Sequence, residues 1–358
     1  MAPLRVLLAA LSLLAAACVH RSTGVAVSAP PPSLLDSVDA AALQGDEREA
    51  LRRLDRIPPG RLSARDQARR ACLLRTFVER DATAPEVRGA FAPEITAIYR
   101  SYWTRVLLRE ATTEEGAAEL GARLRELLGR AGRAPPASAT LDDMTEALEP
   151  VLRADGYHSI RGVTLPFHEL ILWRQETSRT YDVSLPEGAI PVKVVFMDGF
   201  AVRGWSGFAT CGEAFAGGWT TADALYCVAD AYDTGSETFA VSYLGHEAQH
   251  VLDLRRFSGI EAPELEYRAK LAELALARTT THALLAGFAG GMGQDRSVPH
   301  AHASRRLVGA LSGALLGREA PVEEAAVWDR IPAERVSQAA RELLLEDTRQ
   351  RLTPAKRP

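Results

Sequence analysis

The chain is poor in several features that would place a protein quickly. It holds only four cysteines in 358 residues, too few for the disulfide-dense scaffold of a small secreted domain. It has no strong excess of either charge: 42 Lys and Arg face 46 Asp and Glu, a net charge of −4. The basic residues, nearly all arginine, are interleaved with acids along helix-like stretches. That balance leaves no electrostatic footprint for nucleic acid. Past the first 18 residues, no segment reaches the ~18 apolar residues that span a bilayer as a helix. The apolar runs at 283–291 and 307–316 are shorter than that and read as buried helices.

What is present at the start reads as an export signal. Arg5 precedes the apolar run Val6–Leu14, and Ala15-Ala16-Ala17-Cys18 follows. This predicts a lipoprotein signal peptide over 1–18, with Cys18 acylated as the first residue of the mature chain. Alanine stands where a lipobox favours leucine, and Ala15-Ala16-Ala17 also suits an ordinary signal peptidase; both routes imply export. Val19 follows the cysteine and no aspartate marks inner-membrane retention. The expected location is therefore the outer membrane, facing the periplasm or the cell surface. Residues 19–32, rich in serine, proline and small residues, read as a flexible tether.

Three cysteines remain. Cys211 and Cys227 bracket a glycine-rich segment, and a disulfide closing that loop would contribute about 3 kcal/mol. Cys72 lies in the apolar run Ala71-Cys72-Leu73-Leu74 and reads as a buried helix residue.

Residues 33–130 carry helical patterning throughout, and 131–139, with Pro135-Pro136, reads as a linker. From 140 the character changes. Ile190–Met197 and Ala224–Val228 are strand-like, with glycines punctuating the segment between them. The residues after 275 return to helix, and 311–358 read as C-terminal helices ending in a frayed basic tail. The expected fold class is α+β and mostly helical, with an N-terminal helical domain over 33–130 and a small-sheet domain over 140–310.

Histidine is scarce as well, with eight in the chain, so a pair at fixed spacing is informative. His246-Glu247-Ala248-Gln249-His250 forms an HExxH motif. Its chance occurrence in a chain of this composition is on the order of one in a hundred. Histidines four apart share one helix face, so both imidazoles reach one metal ion, and the glutamate between them is placed to act on a water. Thr234-Gly235-Ser236-Glu237 fits a capping box and Gly259 fits a stop, which predicts a helix over 235–257. Asp253, three residues past His250, can orient a ligand histidine or pair with Arg256 one turn on.

Pro263 suits the first turn of a following helix that carries Glu266, with the small Ala269 at helical spacing. Over roughly 235–275 the arrangement resembles the gluzincin metallopeptidases. The resemblance implies His246, His250 and Glu266 as ligands of a zinc ion, and Glu247 as general base. Glu261, Glu264 and Glu273 compete with Glu266 as third ligand. The chain departs from the family in having Lys270 where an aspartate commonly follows the ligand. The resemblance also implies a zincin-like sheet before the motif, whose strand over Trp219–Val228 faces substrate. A downstream histidine or tyrosine would stabilise the oxyanion. His300 and His302 are the leading candidates, ahead of His282, Tyr243 and Tyr267; His158 and His168 read as structural.

The expected activity is zinc-dependent peptide hydrolysis on a lipid-anchored protein, with no nucleic-acid partner. The alternative is a non-catalytic lipoprotein with a structural or vestigial metal site and a helical partner-docking module.

Overall fold

A computed structural model describes residues 34–81, 86–220, 224–296 and 298–353. The signal segment with Cys18, the tether at 19–32 and the last five residues lie outside the described residues. The first half contains α1 (Asp36–Leu43), α2 (Glu47–Asp55), α3 (Ala64–Phe77), α4 (Ala92–Leu107), α5 (Thr113–Arg130), α6 (Leu141–Ala147) and α7 (Glu149–Ala154). Strands β1 (His158–Thr164), β2 (Phe167–Trp173), β3 (Gln175–Leu185), β4 (Gly188–Asp198) and β5 (Val202–Arg203) follow. Then come α8 (Gly204–Ala209), β6 (Gly218–Thr220) and β7 (Leu225–Val228). The rest is helical: α9 (His246–Arg256), α10 (Ala262–Leu276), α11 (Thr281–Gly290), α12 (Pro299–Leu316), α13 (Ala325–Trp328) and α14 (Ala333–Leu352). The fold is α+β and mostly helical.

Two compact units divide the chain, one of residues up to 177 with 197–217, the other of 178–196 with 218 onward. In the first, helix starts are set locally. Thr112 and Thr140 close capping boxes with Glu115 and Asp143, and Asp46 and Ser63 cap α2 and α3. Trp103, Tyr99, Leu124, Leu152 and Leu170 fill its core, against the antiparallel sheet β1-β2-β5. Residues 131–139 belong to this unit: Arg125 donates to the Pro136 and Ala139 carbonyls at 2.8 and 2.9 Å, which holds the stretch against α5.

The second unit is organised around α10, which packs on α9, α12 and α14. A sheet ordered β3-β4-β7-β6 carries Val183, Val192, Val194 and Leu225, which pack with Phe239, Tyr243 and Ala248 in one core cluster. Strand β4 covers the expected 190–197. Strands β1, β2 and β3 had no counterpart in the sequence reading; β3 is exposed along most of its length and shows no clean alternation.

Two expectations are corrected. The disulfide joins Cys72 to Cys211, with a Cα–Cα separation of 6.2 Å, and not Cys211 to Cys227. Cys227 is a free thiol, fully buried on β7 among Leu225, Phe239 and Tyr243. A loop-closure argument favours the cysteine nearest in sequence, whereas the true partner lies 139 residues away. The capping box at Thr234 is also absent. Ser236 Oγ instead accepts from the Phe239 amide at 3.1 Å, and Asp233 accepts from the Gly235 amide at 2.9 Å. Glu237 leaves its own helix end to cap another. It accepts from the amides of Arg278, Thr279 and Thr280 and from both threonine hydroxyls, just before α11. Partial burial works against its ionisation, but these bonds prevail and lower its pKa to about 2.

Glu47 illustrates a cost in the first unit. It is fully buried, and neither carboxylate oxygen has a hydrogen-bond partner. Burial first, and then the charges of Asp39 and Asp46, push its pKa up to about 8. A carboxyl raised this way contributes most to stability when protonated, and that contribution is lost as pH rises from its unfolded value through about 8. Glu47→Gln, an isostere that cannot ionise, should therefore stabilise the protein by on the order of 1–3 kcal/mol at pH above that range. It should change little near pH 5, as read from denaturant midpoints at the two pH values.

Candidate metal centre

The helical run that carries the motif changes pitch as it reaches it. Phe239–Gly245 is π-helical and passes into regular α-helix at His246. Such widened turns are rare and concentrate at functional sites. Gly245 sits where the neighbouring helix comes closest: a Cβ there would lie 2.8 Å from Leu276 Cδ1 of α10. The missing side chain lets the two helices approach where the first histidine begins.

On α9, His246 and His250 are both buried, with ring centroids 4.7 Å apart and ring planes nearly perpendicular. Their Nε2 atoms lie 3.0 Å apart. Glu266 of α10, 1% exposed, brings its carboxylate to 3.5 Å from His246 Nε2 and 3.4 Å from His250 Nε2. One ligand atom from each of these three residues falls within 4.8 Å of the others, so the group can hold a metal ion. Among the described residues it is the cluster with that property.

Glu273, two turns beyond Glu266 on the same helix, does not enter the cluster. Its Oε1 lies 2.6 Å from His246 Nδ1. With that bond in place, the ring presents Nε2 to His250 and Glu266. Sequence reading ranked Glu273 as a rival ligand and missed this role; its spacing of seven from Glu266 was the available signal. Glu261 and Glu264 are placed elsewhere, paired with Arg296 at 2.6 and 3.1 Å.

The electrostatics of the cluster are set by burial working against charge pairing. Burial alone would depress His246, yet Glu273, then Glu266 and Glu247, override it and push its pKa up to about 9. Glu266 is the reverse case. Burial opposes its ionisation, but His250, His300 and His246 hold its carboxyl well below the usual range. Glu247, one residue after His246, is buried at 6% exposure, and its charge acts on His246.

His300, on the first turn of α12, places Nδ1 2.8 Å from Glu266 Oε2. It is thus brought to the third-ligand candidate itself. His302 is not: its Nδ1 faces the Gln294 carbonyl at 3.3 Å. His282 bonds the Ile331 carbonyl at 2.9 Å, and the Tyr267 ring lies under the Arg306 guanidinium at 3.8 Å. Tyr243 is buried in an aromatic stack with Phe239, and burial pushes its hydroxyl pKa strongly upward. His158 stacks on Trp173 and His168 packs edge-on against Tyr102. In the expected substrate-facing segment, Trp219 on edge strand β6 pairs with Tyr226 on β7, their rings stacked at 5.4 Å.

Asp253 does not orient a histidine, and its partner is not Arg256. Both of its oxygens are taken by Arg268, at 2.8 and 2.9 Å, and Gln249 donates to it at 3.0 Å. Arg256 pairs with Glu187 instead. Sequence reading missed Arg268 and Glu187, because their partners come from elements remote in the chain.

No protein-family model matches the chain, and no curated protein and no solved structure matches it either.

If Glu273 fixes the His246 ring, its loss should weaken metal binding while leaving every ligand in place. Glu273→Gln is expected to cost about 10- to 100-fold in affinity for zinc, measured by chelator competition. His302→Ala, by contrast, should leave the affinity unchanged within error. Equal affinities for Glu273→Gln and the native protein would remove Glu273 from the site.

Proposed function

We propose that the protein is a zinc-dependent peptidase. The observation that carries the reading is the meeting of three donors, His246, His250 and Glu266, beside a buried Glu247 from the same motif. Two imidazole nitrogens and a carboxylate are a donor set suited to zinc with a position left for substrate. The spacing agrees with that choice. Bonds of about 2.0–2.1 Å in a tetrahedron give ligand-to-ligand edges of roughly 3.3–3.4 Å. The donors here approach one another at 3.0, 3.4 and 3.5 Å.

The gluzincin resemblance is consistent with this arrangement. Its weak point is Lys270, and Glu273, three residues further on, occupies the role that the departure leaves open. Lys270 itself turns to the Phe288 ring, with Nζ 4.5 Å from the centroid.

When bound, the metal supplies Lewis acidity to a water and to the scissile carbonyl. Glu247 then takes the proton of the attacking water and delivers it to the leaving amine. Glu273 keeps His246 in one orientation, and His300 holds Glu266 from the side of α12. The substrate is a peptide or protein segment. The export signal puts the activity outside the cytoplasm, on a chain anchored through Cys18 and facing the periplasm or the cell surface.

One observation favours a second reading. The approach of His300 to Glu266 puts a third imidazole beside the cluster, and a fourth protein ligand would make the metal structural, in a non-catalytic lipoprotein.

Metal analysis and peptide hydrolysis of two variants separate the readings. Glu247→Gln should keep stoichiometric zinc and lose about 10²- to 10⁴-fold in hydrolysis. Glu266→Gln should lose or loosen the zinc. Native protein purified without zinc and unable to take it up would sink the proposal. Zinc retained with no hydrolysis of any peptide library by the native protein would favour the structural reading.

A further inference from the structure

The two carboxylate oxygens of Glu266 have different surroundings. Oε1 lies 3.4 Å from His250 Nε2, and Oε2 lies 3.5 Å from His246 Nε2. Each is therefore at a spacing suited to a shared metal ion. Oε2 also has a neighbour from another helix, His300 Nδ1 at 2.8 Å. Glu266 is 1% exposed, so almost no solvent competes for that oxygen.

The difference matters because a carboxylate meets a metal through one oxygen or through both. Through one, His246, His250 and Glu266 supply three donor atoms and leave a position for water and substrate. Through both, the same residues supply four, and protein fills the open position.

Helix α12 places His300 for this choice. The histidine follows Pro299 in the first turn, and Ala303 and Leu307 of the same helix are buried in the core shared with Leu271 and Leu274 of α10. The approach to α12 is tied down as well. The Gly293 amide donates to the Ala301 carbonyl at 2.9 Å, and Arg296 bridges Glu261 and Glu264 at the start of α10 at 2.6 and 3.1 Å. The group of donors that lie within 4.8 Å of one another is His246, His250 and Glu266, without His300. The other ring nitrogen of His300, Nε2, is buried with no hydrogen-bond partner among the described residues. His300 thus neighbours the third donor and stands outside the donor cluster itself.

We infer that His300 is a positioning residue that occupies Oε2 of Glu266, so that the carboxylate meets the metal through Oε1 alone and one coordination position stays open. The inference rests on the three-donor site of the peptidase reading and runs against His300 as a fourth ligand.

The test replaces His300 with Ala, Asn and Gln in the purified chain. It reads zinc affinity by chelator competition and coordination number from the visible absorption of the cobalt(II)-loaded protein, which is stronger for four-coordinate than for five-coordinate cobalt. His300→Ala frees Oε2 to join Oε1 on the metal, so the cobalt band should lose intensity. Zinc affinity should fall by about 10- to 100-fold, the range for a group that orients a ligand. Asn carries its amide where Nδ1 stands and should restore the native band, whereas Gln reaches to the position of Nε2 and should not. If the Ala variant fails to fold by circular dichroism, the comparison of Asn with Gln decides alone.

An unchanged cobalt band in folded His300→Ala would overturn the inference, and an affinity loss well beyond about 100-fold with that band unchanged would mark His300 as a ligand. Restoration by Gln and not by Asn would overturn it too. Native protein that takes up neither metal would end the peptidase reading and this inference together, whereas the other adverse outcomes leave that reading standing.

Discussion

The candidate metal centre depends on two helices meeting at a fixed distance, and one buried arginine bridges them at that point. Arg268, fully buried on α10 two residues after Glu266, reaches Asp253 on α9 through both of its oxygens. The same guanidinium reaches Asp347 on α14 at 2.8 Å and Glu187, in the turn between β3 and β4, at 2.7 Å. Such a group is costly to bury, and it survives because each of its three nitrogens donates to a carboxylate. Removing one partner would leave a buried charge exposed to no solvent, a loss of roughly 3–5 kcal/mol. The consequence is geometric as much as energetic. Asp253 follows His250 by less than one turn, and Arg268 follows Glu266 by half a turn. A clamp between those two positions fixes the imidazole of one helix against the carboxylate of the other.

Around the clamp the site is assembled by small concessions in the backbone. Gly245 gives up a side chain so that Leu276 can approach, and the π-helical turns before it shift the register of the helix as it enters His246. Gln249, between the motif's glutamate and its second histidine, serves the clamp and not the candidate metal cluster. It donates to Glu187 at 2.8 Å and to Asp253 at 3.0 Å. One face of α9 thus carries the two candidate ligands, and the adjoining face carries the bond network that ties α9 to α10. A motif of five residues contains both functions.

This division explains what could be read from the sequence and what could not. The motif, the helical character of residues 33–130 and the strand at 190–197 announce themselves through local spacing. Glu266 was reachable too, since the helix start at Pro263 and the small Ala269 mark its context. Arg268, Glu187 and Asp347 were not, because a buried charge is recognisable only from the partners that neutralise it, and these lie up to 81 residues apart in the chain. The disulfide failed for a related reason. Loop entropy ranks cysteine pairs by separation, yet a bridge forms where the folded backbone brings two Cβ atoms together, and Cys227 was already committed to a strand in the core. Glu237 makes the same point for a helix cap: its spacing from Thr234 fitted a local box, but three consecutive amides before α11 offered it more bonds.

His300 and His302 test how fine such reading can be. They are two residues apart at the start of one helix, and sequence alone ranks them equally. On a helix, that offset turns side chains about 200° away from each other, so only one can face a given neighbour. The face of α12 that packs on α10 decides the matter. Ala303 and Leu307 are buried in the core shared with Leu271 and Leu274, and His300 lies three and seven positions before them, on the same side. His300 is therefore carried to Glu266 by the apolar stripe of its own helix, and His302 is carried away by it. The placement of His300 against Glu266 follows from where the leucines go.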